Sequence, residues 1–64
     1  MKVFVRQDMT EMFLGGLGTW VPDETRAMVF HNRTSAFLFC VRYYLSGVTV
    51  VVQNDEGQWE SGEA

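Results

Sequence analysis

The stretch Thr34–Leu45, TSAFLFCVRYYL, constrains this chain most. It has the length and residue types of a helix, and Asn32 before it is a side-chain cap for the first turn. At about 100° per residue, its polar side is narrow and holds essentially Ser35 and Arg42. Ala36, Phe37, Cys40, Val41 and Tyr44 form the opposite stripe, expected to face a sheet. Leu38 and Phe39 fall on the flanks, with Tyr43 beside Phe39. A helix apolar around its circumference is normally covered around its circumference, and a chain of 64 residues has little else to cover it with.

The rest of the sequence offers no substitute source of stability. Below about 70–80 residues a single core rarely supplies more than roughly 3–5 kcal/mol without a staple or a partner copy. Cys40 is the only cysteine, so no intrachain disulfide forms, and Cys40 with His31 is too small a set for structural zinc. The composition is otherwise that of a globular domain, 47% hydrophobic and 14% aromatic. A second copy of the chain is the simplest cover for Leu38, Phe39 and Tyr43. The alternative is the segment from Gly15 to Thr25 folding over one flank.

Strand signals flank the helix. Lys2–Gln7 alternates, with Val3 and Val5 on one face and Phe4 and Arg6 on the other. Gly15–Gly18, GGLG, reads as a hairpin loop between EMFL and TWV. Pro22 and Asp23 mark a turn, and Arg26–Phe30 is a further strand candidate. After the helix Gly47 supplies the stop. Val48–Gln53 is the clearest strand, and NDEG then leads to a short return strand near Trp59. The expectation is one α+β domain over 1–60, a mostly antiparallel sheet with one helix on one face, in the order β-β-β-α-β with a short final strand. Residues 61–64 are expected to be a flexible acidic end.

Charge and motifs narrow the function classes. The net charge of −3 belongs to the C-terminal segment: residues 1–53 carry four acids against five bases, whereas Asp55, Glu56, Glu60 and Glu63 stand without a base. No basic stripe of the kind that neutralises phosphates is present, so nucleic acid is a disfavoured partner. A version of that reading survives in the sheet aromatics Phe4, Phe13 and Trp20 as a stacking surface for single strands, with Arg6 and Arg26. For Trp20 a core role is the stronger expectation. No signal peptide or membrane span is readable, which points to a cytoplasmic protein with no membrane partner. The sequon at Asn32–Thr34 carries no weight without secretion.

Candidate chemistry is sparse. GGLG has no neighbouring base and matches neither the dinucleotide fingerprint nor the phosphate-binding loop, so no cofactor is implied. Cys40 with His31 is the one nucleophile–base pair, yet Cys40 lies mid-helix and nothing orients His31. Asp23 and Glu24 lack the spaced oxygens of a calcium loop. No catalytic or metal residue is expected, and an enzyme is the least favoured class.

Trp20, Pro22, Asp23, Ala27, Phe30, Ala36 and Val48–Val52 together resemble a pattern of small bacterial proteins of uncharacterised function. That resemblance implies a fold and no activity. The order β-β-β-α-β is also similar to that of small antitoxins built on half of an RNase-H-like sheet, in topology alone. The leading expectation is a non-catalytic interaction domain that forms a homodimer through Leu38, Phe39 and Tyr43. An antitoxin-like or regulatory partner of another protein is the first alternative, and a single-stranded nucleic-acid module is the second.

Overall fold

The computed structural model describes residues 1–60. The elements are β1 (Lys2–Gln7), β2 (Phe13–Gly16), β3 (Thr19–Val21), a single 3-10 turn (Glu24–Arg26), α1 (Arg33–Arg42), β4 (Val48–Gln53) and β5 (Trp59–Glu60). The strands form one antiparallel sheet in the order β3-β2-β1-β4-β5, with α1 packed against β1 and β4. This is the α+β architecture expected, its short final strand included. The acidic end at 61–64 lies outside the described residues.

β1 and β4 pair along their whole length, from Lys2 opposite Gln53 to Gln7 opposite Val48. Two alternating strands in this register sort their side chains onto two faces. Val3 and Val5 meet Val52 and Val50 beneath the helix, while Phe4 and Arg6 meet Val51 and Thr49 on the other side. Val3, Val5, Leu14, Phe30, Ala36, Cys40 and Val52 form the buried core under α1. Ala36 is fully buried, and its single methyl lets the helix backbone approach the sheet. At Gly15 the sheet is just as close: a Cβ would lie 2.8 Å from Val21 Cγ1. Among the described residues, no helix is long and apolar enough to cross a membrane.

Three local expectations are corrected. Arg26–Phe30 does not form a strand. Asp23 accepts hydrogen bonds from the Thr25 backbone N–H and hydroxyl, closing the 3-10 turn that takes Arg26. The chain beyond it touches the sheet at two points, Met28 N–H donating to the Leu14 carbonyl and Phe30 N–H to the Val3 carbonyl, both at 2.8 Å. β2 pairs with β1 only at Arg6–Phe13, so Val3 is free on that side and Phe30 bridges to it.

The helix starts as expected, with the Asn32 side chain accepting from Ser35 N–H at 2.7 Å, but ends earlier. Tyr43 is its C-cap, Leu45 N–H bonds the Cys40 carbonyl and Tyr44 N–H the Val41 carbonyl. This double closure demands a left-handed residue after the cap, normally glycine. Tyr44 takes that position at φ 56°. Gly47 (φ 67°) instead opens the way into β4, its carbonyl accepting from Asp8 N–H.

The third correction is the roll of α1. Ala36 and Cys40 face the sheet as expected, while Phe37, Val41 and Tyr44 of the same expected stripe are exposed. Phe39 is drawn inward in their place. Its ring packs edge-on against Phe30, centroids 5.3 Å apart, and Phe30 is tethered to β1 by its backbone bond.

Candidate functional site

A single sheet with one helix leaves two outer surfaces, and their chemistry differs. On the helix side, Phe37, Leu38, Val41, Tyr43 and Tyr44 are all exposed. Phe37 and Val41 stand one above the other at helical spacing, and Tyr44, just beyond the helix end, borders the same groove and is 92% exposed. Arg42 lies against the Tyr43 ring, 5.8 Å from its centroid, and so screens only one margin of the patch. Below this stripe runs a groove of about 480 Å³ between helix and sheet, floored by Cys40, Leu45, Val48 and Val50. The Cys40 thiol pKa is pushed up by burial, which holds it in the inert neutral form. His31 is exposed and precedes the first turn of α1.

The sequence candidates for this surface separate into two groups. Leu38 and Tyr43 are exposed, whereas Phe39 is half-buried between Phe30 and Tyr43, with ring centroids 5.3 and 4.7 Å away. Gly15–Thr25 does not cover the flank, because it is used for β2, β3 and the turn after them. The exposed stripe therefore extends from Leu38 and Tyr43 to Phe37, Val41 and Tyr44. Helical periodicity could not find it, since a helix apolar all round has no preferred roll until a neighbour such as Phe30 sets one.

On the opposite side the sheet is chemically mixed. Phe4 is buried there beneath Phe13 and Trp59. The three ring centroids lie 5.5–5.8 Å apart, and Trp59 is stacked on Phe13 at 17°. Beside this trio opens a cleft of about 630 Å³. Arg6, Phe13, Thr49, Val51 and Trp59 line it from the sheet, and Glu11, Pro22 and Glu24 come from the connecting segments. Among the described residues, Arg6 Nε is buried with no hydrogen-bond partner and Arg6 makes no ion pair. Glu60 also borders the cleft, and its carboxylate lies 3.9 Å from Arg33.

Of the sequence-predicted stacking residues, the structure brings Phe4 and Phe13 together but leaves Phe4 almost without exposed surface. Trp20, opposite Leu14, packs against the helix-side core. Trp59 completes the trio instead. Its position follows from the pairing of Trp59 with Gln53, a register fixed by the NDEG turn: the Asn54 side chain accepts from the backbone N–H groups of Glu56 and Gln58.

Comparison with protein-family models, with curated proteins and with solved structures returns no match.

Proposed function

We propose that this chain is a non-catalytic interaction domain that self-associates through the outer face of α1. The observation that carries the reading is the unbroken exposed stripe of Phe37, Leu38, Val41 and Tyr44 above an apolar groove. Aromatic side chains present roughly 150–250 Å² each, so the patch is on the order of 500 Å², at the upper end of what a lone monomer displays. A stable interface uses about 800 Å² per partner, so the stripe would form the centre of such an interface, with the groove and a polar rim completing it.

A second copy fits this surface better than a polar or charged partner. The stripe is aromatic and aliphatic, as the centres of homodimer interfaces are. In a two-fold dimer the same patch serves both sides, so the projecting Tyr44 of one copy can seat in the groove of the other. The left-handed backbone at Tyr44 supports this reading. A non-glycine residue there costs of order 1 kcal/mol, and such outliers concentrate at functional surfaces.

The test is light scattering coupled to size-exclusion chromatography over a hundredfold range of concentration. The natural chain is expected to approach twice the monomer mass. Phe37→Ser with Val41→Ser should give the monomer mass with an unchanged far-UV spectrum. A natural chain that stays monomeric at the highest concentration ends this reading.

A further inference from the structure

We propose that the cleft on the opposite face of the sheet binds a small planar carboxylic acid, with the carboxylate on Arg6 and the flat apolar body on the stacked Trp59 and Phe13 rings. This goes beyond self-association and concerns the surface that such a dimer leaves untouched. Three observations converge on it.

The first is Arg6. A guanidinium nitrogen buried without a partner is uncommon, because each unmet buried donor costs free energy, and among the described residues Arg6 Nε is one. The guanidinium is a rigid fork of donors matched to a planar oxyanion. Arg6 lies on β1 between Phe13 of β2 and Thr49 of β4, so the sheet itself fixes its backbone.

The second is the wall beside it. Trp59 stacks on Phe13 and remains 45% exposed at the mouth of the cleft. A flat ligand body laid on that wall has an aromatic face to stack on. The volume of about 630 Å³ is in the range of small-molecule sites.

The third is charge, and it selects among anions. Glu11, Glu24 and Glu60 share the cleft with Arg6, Glu60 lying 3.9 Å from Arg33. Three carboxylates oppose a chain of phosphates, whereas a single carboxylate needs only the one guanidinium. The same argument sets single-stranded nucleic acid aside in favour of a monoanion.

The test uses the full chain labelled with ¹⁵N and three probes of one shape: naphthalene-2-carboxylate, its neutral carboxamide, and 2-naphthylmethylammonium. Octathymidylate is the fourth. The carboxylate is expected to shift the Arg6, Phe13 and Trp59 signals, including the Trp59 indole N–H, and to bind at least tenfold more tightly than the carboxamide. Arg6→Met should abolish that tenfold preference, and Trp59→Leu should weaken acid and amide alike. Arg6→Lys, which keeps the charge without the planar fork, should retain only part of the preference and guards against misfolding of the methionine variant. Equal binding of acid and amide, tighter binding of the ammonium, tighter binding of octathymidylate, or no shifts at millimolar probe would each overturn the proposal. None of these outcomes depends on the oligomeric mass, so this site and the dimer fail separately.

Discussion

On the helix side of the sheet, Val3, Val5 and Val52 disappear beneath α1, and the outward half of that helix then presents Phe37, Leu38, Val41 and Tyr44 to solvent. On the other side, Phe4 disappears beneath Phe13 and Trp59, and the surface beyond them is a cleft lined with Arg6, Thr49 and three glutamates. The helix side thus buries a strict core and exposes its apolar surplus. The sheet side packs its rings on one another, leaving Trp59 partly exposed, and surrounds them with polar groups. Hydrophobic content alone does not distinguish them; what differs is whether each large side chain has a neighbour within the chain. Phe4 has two ring partners, and Phe37 has none among the described aromatic pairs.

The sharpest way to break this contrast is to truncate one phenylalanine from each side. Phe4→Ala should cost about 3–5 kcal/mol, enough to unfold most of a domain this small. Phe37→Ala should change monomer stability by no more than about 0.5 kcal/mol. Urea denaturation of both variants, at concentrations low enough to keep the chain monomeric, reads the difference. Similar losses would mean that Phe37 belongs to the core after all.

A smaller effect of opposite sign is expected at Tyr44. Tyr44→Gly relieves the left-handed backbone and should raise monomer stability by about 1 kcal/mol. It also removes the most exposed ring of the patch, so the dimer should weaken. Stability and association moving in opposite directions mark a residue held for contact with another molecule. If both fall together, Tyr44 supports its own fold.

The smallest expected change concerns a surface carboxylate. The Thr25 hydroxyl and backbone N–H hold the Asp23 carboxyl below its ordinary range. A carboxyl with a depressed folded pKa stabilises above its unfolded pKa, and that contribution fades as pH falls through the folded value. Asp23→Asn should therefore flatten the acid limb of the stability profile slightly and leave the neutral region almost unchanged. A melting temperature measured from pH 2 to 7 checks it, and a large loss at neutral pH would show that the turn depends on the charge itself.

Much of the fold was legible in alternation and punctuation. Lys2–Gln7 and Val48–Gln53 display their two faces in the order of their residues, and the cap at Asn32 is a local signal that the structure repeats. What was not legible depends on distant neighbours. Gly47 reads as the helix stop because glycine usually is one, but the closing hydrogen bonds at Tyr44 and Leu45 form three residues earlier. Arg26–Phe30 has the residue types of a strand, yet the sheet edge beside it accepts only the single bridge at Val3. The two surfaces divide the same way. Leu38 and Tyr43 were visible from the helix alone, whereas Phe37, Val41 and the Arg6–Trp59 cleft required the roll set by Phe30 and the register set by the Asn54 turn.

The one-sided placement of the helix has a consequence for valence. Two copies joined through α1, as proposed, would turn their bare sheet faces outward, away from each other, so the assembly would carry two clefts that open in opposite directions. Such a particle cannot close both clefts on one small molecule. It can bridge two copies of a ligand fixed on separate supports, where the second attachment benefits from the local concentration created by the first.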